Sequence, residues 1–302
     1  MNHSQHSHRA ILYAFLANLG IALAKGWAAF FTGSGSLLAE TIHSVADSGN
    51  QILLYLGLVQ ARRPPDAEHP LGYGKLTYFW SFIVAILLFT MGGVFSIYEG
   101  WQKLAGHEGL HQPSIGIAIL VFAIILEGMS LLGCLKEIAR VRGQRSLWQW
   151  LKTTRNAELV VILGEDCAAL VGLTFALVGL GVATLTGDPV YDAMGSMAIG
   201  VILILVSLFI AFHIRALIVG RSADPELIRA IQEVIEEDEH IEDLLNLITL
   251  QFGPDVMVAA KLRLPAHISL GEAVESINRL ERQLKRAVPQ VRWCFMEPDF
   301  FK

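Results

Sequence analysis

The chain has 302 residues, of which 53% are hydrophobic and 17% charged, and its apolar residues are gathered in long blocks. This pattern excludes an ordinary water-soluble domain and predicts a polytopic membrane protein. The formal charge of −5 arises in the last part of the chain, since residues 222–302 contain nine basic and fifteen acidic side chains. No basic patch favours nucleic acid as a partner, and the three cysteines form no CxxC pair or disulfide framework.

Six apolar blocks are long enough to cross a bilayer as helices, whose backbone groups are hydrogen-bonded within each segment. They run from Ala10 to Phe31, Ser36 to Gln60, Tyr78 to Trp101, Ile115 to Ala139, Ala157 to Leu185 and Val190 to Ile218. Basic residues lie before the first block and in the loops after the second and fourth, whereas the other loops carry few charges. The positive-inside rule therefore predicts that both termini are cytoplasmic. The absence of a signal or transit peptide favours a bacterial inner membrane over an organelle.

The sequence predicts a cytoplasmic tail of residues 1–9, a membrane domain of residues 10–221 and a cytoplasmic domain of residues 222–302. In the last of these, Asp224 and Pro225 begin a helix, because proline is well tolerated at the first helical position. Strands are expected over residues 244–251 and 256–264, then a helix capped by Ser269, then a short strand over 291–296. A small α-β-β-α-β domain leaves a sheet edge or face open, so we expect pairing with a second copy of the chain.

Polar and ionisable side chains interrupt the apolar blocks, where an ionisable group is tolerated only if it is paired or functional. They are His43, Asp47 and Asn50 in the second block, Glu127 in the fourth, and Glu165 and Asp166 in the fifth. The three in the second block share one helical face, because their spacing is i, i+4 and i+7. Asp47 lies roughly 16 Å below the outer end of its helix and Asp166 about 14 Å above the inner end of its own, which is the same depth in a core about 30 Å thick. A neutral imidazole and carboxylates at one depth suit a divalent cation of the zinc type.

Other polar side chains in the blocks have simpler explanations. Glu127 and Glu165 are equally well explained by hydrogen bonds to a neighbouring helix. Lys25 and Glu40 are expected nearer the outer surface, where they can extend to the interface or pair with each other.

The choice of a histidine at position 43 indicates how metal movement could be coupled to protons. Imidazole binds a metal only when it is neutral, and it titrates near physiological pH, so a proton and a metal ion compete for His43. We therefore expect export of a divalent metal in exchange for protons, by alternating access.

Five stretches of the sequence resemble the cation diffusion facilitator family of divalent-metal exporters. They are HSVAD in the second block, RRPPDAEHPLGYGK after it, LGEDCAALVG in the fifth block, TGDPVYDAMGS before the sixth, and the α-β-β-α-β tail. The second-block and fifth-block stretches look most like the branch that includes the mitochondrial zinc transporters of animals. The resemblance implies six transmembrane helices, a homodimer, a ferredoxin-like cytoplasmic domain and zinc/proton exchange. The transported metal and protons are then substrates, and no prosthetic group is expected.

The chain departs from the family pattern at the transport site. The family uses two ligands four residues apart in the second helix, which His43 and Asp47 match, and a His and an Asp four apart in the fifth. Asp166 matches that Asp, but Ile162 occupies the position of the His. A fourth ligand must come from Glu165, Glu127, Asn50 or a water molecule. A site richer in oxygen moves the expected metal from zinc towards manganese, iron or cobalt.

A second departure lies in the loop after the second block. Relatives bind an accessory metal there with an Asp and two His, which Asp66 and His69 match, whereas Tyr73 takes the last position. We expect a weakened or absent accessory site, and Asp66 with His69 is as well explained by a capping or salt-bridging pair.

Two other functions would also use a metal site in the membrane. An intramembrane metalloenzyme is disfavoured, because no block contains HExxH or another identifiable base beside a metal-bound water. A membrane metal sensor that signals through its cytoplasmic domain would need no access to the site from both sides.

Overall fold

The computed structural model describes residues 3–32, 35–106 and 113–301, and for residues 3–10, 28–29, 31–32, 35–43, 46 and 106 it describes the backbone alone. The chain forms two compact units. The first contains the chain up to Gln60, Leu76–Arg145 and Ala157–Arg215, and the second contains Ala61–Lys75, Ser146–Asn156 and the chain from Ala216.

Helices make up almost all of the first unit. In chain order the helices up to the end of the apolar blocks are α1 (His3–Thr32), α2 (Gly35–Gln60), α3 (Leu76–Leu87), α4 (Phe95–Gly106), α5 (Pro113–Val141), α6 (Leu147–Thr153), α7 (Ala157–Thr186) and α8 (Val190–Val219). A π-helical segment, Leu88–Val94, joins α3 to α4, so that one helical rod contains the third predicted block. The short α6 lies in the basic loop and belongs to the second unit.

Within the described residues, four helical stretches are long and apolar enough to cross a membrane: Leu76–Ala105, Pro113–Val141, Ala157–Thr186 and Val190–Val219. They coincide with the third to sixth predicted blocks. Helices α1 and α2 cover the first two blocks, and α1 contains a shorter apolar stretch, Ile11–Trp27. For these two the membrane span stays a prediction. Large apolar side chains such as Leu205 and Phe212, each 62% exposed, are suited to contact with lipid.

The helices of the first unit pack against one another and enclose buried polar residues. Helix α1 packs on α2 and α5, α5 packs on α7, and α3 packs on both α2 and α7. Glycines let α8 approach the π-helical rod closely: a Cβ atom on Gly200 would lie 2.6 Å from the carbonyl oxygen of Gly93. Small residues at such crossings are typical of helices packed in membranes.

The second unit contains the predicted α-β-β-α-β order, which is confirmed. Its elements are α9 (Pro225–Glu236), β1 (Asp243–Phe252), β2 (Asp255–Arg263), α10 (Leu270–Ala287) and β3 (Val291–Pro298). The sheet order is β1-β2-β3, with β1 and β2 antiparallel and β2 and β3 parallel. Its core is formed by side chains that the helices and one sheet face share: Ile231, Ile235, Val256, Val258, Ala260, Leu262, Leu280, Leu284 and Val291. Asp224 and Ser269 cap α9 and α10 as predicted.

Two loops pack against these C-terminal elements within the second unit. The guanidinium of Arg155 donates hydrogen bonds to the carbonyl oxygens of Ser222 and Ala223. Arg221 donates to the carbonyl of Lys152 in return. In the other loop, Gly74 lies against Gly253, whose φ of +63° is in the left-handed region that favours glycine.

Candidate intramembrane cation site

A cavity of about 180 Å³ lies within the helical unit, beside the π-helical segment. Its polar lining comes from six of the helices: Asn18 and Lys25 of α1, Ser44, Asp47 and Asn50 of α2, Ser96 and Glu99 of α4, Glu127 of α5, Glu165 of α7 and Ser196 of α8. Leu88, Met91 and Gly92 of the π-helical segment line its apolar side. The cavity thus brings together polar groups that are far apart in the sequence. Such a concave site with a few convergent polar groups is the usual form of a ligand site.

Glu165 is held by amide side chains from α2. One of its carboxylate oxygens accepts a hydrogen bond from Nδ2 of Asn50 at 3.1 Å, and the other accepts one from Nε2 of Gln51 at 2.9 Å. Oε1 of Gln51 in turn accepts a hydrogen bond from Nδ2 of Asn18 at 3.2 Å. All four side chains are buried. This network joins α1, α2 and α7.

Asp166 has a different environment from that of its neighbour. Its side chain is 2% exposed, and Oδ2 accepts a hydrogen bond from the hydroxyl of Ser130 on α5 at 3.1 Å. Glu127, also on α5, interacts electrostatically with Asp166, Asp47 and Lys25. Carboxylates from α2 and α7 therefore both act on Glu127 of α5.

His43 lies on α2 one turn before Asp47, as its spacing predicts, and its side chain lies outside the described residues. Ile162, at the position where the family has a His, is fully buried. Among the side chains that the structure describes, no three of His, Cys, Asp and Glu lie close enough to hold one ion. The described carboxylates interact electrostatically, but no three of them lie close enough to bind one ion. A metal site therefore needs His43 as a ligand, or a conformation in which the carboxylates lie closer together.

Among the buried polar residues in and beside the cavity, Asn18, Gln51 and Lys25 were not predicted as part of a site. Asn18 and Gln51 carry no charge, so the sequence did not indicate that they belong to a polar site, although Gln51 directly follows Asn50. Lys25 was expected nearer the outer surface, extended to the interface or paired with Glu40: extension is wrong, since the side chain is 6% exposed and lines the cavity, and the side chain of Glu40 lies outside the described residues. Its spacing of seven residues from Asn18 is the signal that could have placed both on one face of α1.

The loop residues Asp66 and His69 do lie together, in the second unit. Oδ1 of Asp66 accepts hydrogen bonds from the backbone N–H groups of Glu68 and His69, at 3.1 and 2.7 Å. Oδ2 accepts the hydroxyl of Tyr73 at 2.5 Å, and this bond, followed by that from the His69 backbone, lowers the pKa of Asp66. The rings of His69 and Tyr73 are 4.3 Å apart. The arrangement is that of a capped turn, with Tyr73 closing it.

Comparison with known proteins then places the chain. Residues 11–217 match the model of the cation efflux transmembrane domain, and residues 223–296 match that of the cation efflux protein cytoplasmic domain. The chain belongs to the cation efflux family, the cation diffusion facilitators. The resemblance seen in the sequence is thereby confirmed, and this cation efflux protein is a multi-pass membrane protein.

Relatives of this cation efflux protein include mitochondrial and bacterial proteins. The mitochondrial proton-coupled zinc antiporter SLC30A9 of Xenopus laevis is 32% identical over 256 residues, which are 84% of this chain and 45% of the relative. Metal tolerance protein C4 of Arabidopsis thaliana is 29% identical over 280 residues, 92% of this chain and 60% of the relative. Magnetosome protein MamB of Paramagnetospirillum magneticum is 25% identical over 285 residues, 93% of this chain and 90% of the relative. The chain thus spans less than half the length of the SLC30A9 relative.

Proposed function

We propose that this chain is a proton-coupled exporter of divalent metal cations, a secondary transporter and not an enzyme. Zinc is the favoured substrate, with manganese, iron and cobalt as alternatives. The observation that carries the proposal is the cavity that Asp47, Glu127 and Glu165 share with buried amides inside an apolar bundle. The family and the name of the zinc antiporter relatives support the same substrate class. The metal is cargo, and the proposal includes no prosthetic group.

The proposed ligands are His43, Asp47 and Asp166, with Glu127 as the fourth. Glu127 and Glu165 both line the cavity with Asp47 and interact with both aspartates, and the hydrogen bonds of Glu165 favour Glu127 as the ligand. The oxygens of Glu165 already accept two amide hydrogen bonds, one of them from Asn50. A divalent ion would offset the charge of the buried carboxylates, which lowers the free-energy cost of keeping them ionised. Asp66 and His69 serve in this proposal as a capped turn.

The transport cycle follows from competition between metal and protons. His43 binds metal only when its ring is neutral, and carboxylates bind metal only when ionised, so metal binding releases protons. Protons that enter from the outer side would displace the ion outward, and their release to the cytoplasm would prepare the site for the next ion. The direction of export therefore depends on the proton gradient.

The architecture in this proposal has six transmembrane helices over residues 10–221, a short tail at residues 1–9 and a ferredoxin-like domain at 222–302, with both termini cytoplasmic. A bacterial inner membrane is the proposed location. The proposed homodimer is supported by the sheet face opposite the core, where Ile248 is 55% exposed and Phe295 58% exposed. These two residues align across Ala259 of the central strand.

Zinc uptake into proteoliposomes that contain only this protein tests the proposal. With an acidic lumen, which corresponds to the outside, we expect zinc to enter and the lumenal pH to rise. Asp47→Ala and Asp166→Ala should abolish uptake while leaving the protein folded, and Glu275→Ala, on the exposed face of α10, should not change it. Zinc binding without uptake would favour a membrane sensor, and hydrolysis of membrane peptides would favour a metalloenzyme.

A further inference from the structure

The hydrogen bonds of Glu165 separate its role from that of the adjacent Asp166. Successive residues of a helix point about 100° apart, so the two carboxylates face different neighbours. Glu165 faces the amides of Asn50 and Gln51 on α2, whereas Asp166 faces Ser130 on α5. Both carboxylates are buried, but their partners belong to different helix pairs.

When Glu165 is ionised, the amide network has a single arrangement of donors and acceptors. The carboxylate can then only accept, which fixes the amide nitrogen of Gln51 towards it and the amide oxygen of Gln51 towards Asn18. Gln51 is fully buried, with no exposed surface, and so has no water to replace a lost partner. Each bond in the network therefore depends on the identity of the group at the next position.

We propose that Glu165 is a positioning residue, held by Asn50, Gln51 and Asn18, and that it fixes α2 against α7 so that Asp47 and Asp166 face one ion. This inference deepens the proposed function and depends on it. As a ligand, Glu165 would bind the metal through oxygens that each already accept one amide hydrogen bond. As a positioning residue, Glu165 keeps these hydrogen bonds whether or not a metal is bound, and none of its oxygens is a metal ligand.

An exchange of the two central side chains tests this role. Glu165→Gln removes an acceptor that faces an amide nitrogen, and Gln51→Glu sets two carboxylates against each other. In the double variant, the carboxylate at position 51 accepts from Asn18 and from the amide now at position 165, and that amide oxygen accepts from Asn50. All three hydrogen bonds are thus kept, with the central one reversed.

Zinc affinity of the purified full-length protein, measured by competition with a chromogenic chelator, is the readout. We expect each single variant to bind zinc about 10- to 100-fold more weakly, as is usual when a residue that orients a ligand is changed. The double variant should return to within about threefold of the unsubstituted protein. A folded double variant that binds zinc no better than Glu165→Gln would overturn the proposal, because position 165 would then be needed as a carboxylate ligand.

Cadmium titration gives a second test that does not require the exchanged pair to fold. A cysteine introduced at a ligand position produces a cadmium–thiolate absorption band. We expect the band from Asp47→Cys and no band from Glu165→Cys above that of the unsubstituted protein, which has three cysteines of its own. A band from Glu165→Cys would overturn the proposal. Absence of zinc binding by the unsubstituted protein would instead refute the proposed function, and this role with it.

Discussion

At the scale of single residues, the charged members of the site could be predicted from the sequence, whereas its uncharged amides could not. Asp47, Glu127 and Asp166 were identified because an ionisable group inside a membrane helix needs a partner or a function. Asn18 and Gln51 escaped notice because an amide is far less costly in an apolar segment and many helices contain one. Their contribution is visible only when the hydrogen-bond partner, Glu165, is seen across the bundle.

The buried amine of Lys25 gives a residue-scale prediction. Lys25 lines the cavity and interacts with Glu127, so its positive charge opposes that of an incoming metal ion. Lys25→Met should tighten zinc binding by about tenfold, or ~1.4 kcal/mol, whereas Lys25→Arg should leave the affinity close to that of the unsubstituted protein. Isothermal titration of the purified variants with zinc measures this. Weaker binding by Lys25→Met would show that the amine supports the site.

The capped turn at Asp66 gives a prediction about pH. Its pKa is lowered from the ordinary value of 3.8, chiefly by the hydroxyl of Tyr73, so the carboxylate stabilises the loop fully above that value. This stabilisation is lost as the pH falls through the lowered pKa. Tyr73→Phe should raise the pKa of Asp66 towards 3.8. Carbon-13 NMR of labelled aspartate carboxyls, assigned with Asp66→Asn, follows the titration, and an unchanged pKa in Tyr73→Phe would contradict the assignment of its cause.

At the scale of elements, the hydrophobic pattern predicted which helices and strands exist better than it predicted their local geometry. The last four spans and the α-β-β-α-β order follow from apolar blocks, strand alternation and caps such as Ser269. The π-helical segment at Leu88–Val94 and the short α6 did not follow. The first has the same composition as an ordinary helix, and its Gly92 and Gly93 pack against Leu203 and Ile204 of α8. The second is a seven-residue helix capped by Ser146 and Gln149 inside a loop rich in basic residues.

The close crossing at Gly200 gives an element-scale prediction. A Cβ atom there would meet the carbonyl oxygen of Gly93 at 2.6 Å and the backbone nitrogen of Ile97 at 2.8 Å. Because these are backbone atoms, Gly200→Ala should push α8 away and destabilise the bundle by about 1–3 kcal/mol. Gly181→Ala on α7 is the control, since nothing lies within 4 Å of its added Cβ. Thermal unfolding in detergent compares them, and equal midpoints would show that the crossing is looser than described.

At the scale of the whole molecule, the sequence predicted a membrane domain followed by a C-terminal domain. The contacts instead place two loops of the predicted membrane domain in the C-terminal unit. Residues 61–75 and 146–156 follow transmembrane blocks in the sequence, and no pattern in them indicates contact with residues 216–302. The contacts depend on a close glycine pair, Gly74 and Gly253, and on arginine bonds to backbone carbonyls, such as that of Arg155 to Ser222. Every residue type has a backbone carbonyl, so the sequence cannot show which residue accepts such a hydrogen bond.

The open sheet face gives a prediction about assembly. If the proposed homodimer uses this face, Phe295→Glu should place a charge among apolar side chains and convert the dimer to monomers at micromolar concentration. Phe295→Leu keeps an apolar side chain and should remain dimeric. Mass photometry of the detergent-solubilised protein distinguishes the two states. A dimer that persists in Phe295→Glu would show that another surface joins the protomers.

The central claim is that α2 and α7 hold one divalent ion between an imidazole and carboxylates. An anomalous-difference map at the zinc absorption edge, from crystals of the zinc-bound protein, tests it most directly. We expect one peak between α2 and α7, within about 2.3 Å of His43, Asp47 and Asp166. Zinc bound elsewhere, with His43 directed towards lipid and no peak between the two aspartates, would contradict the claim.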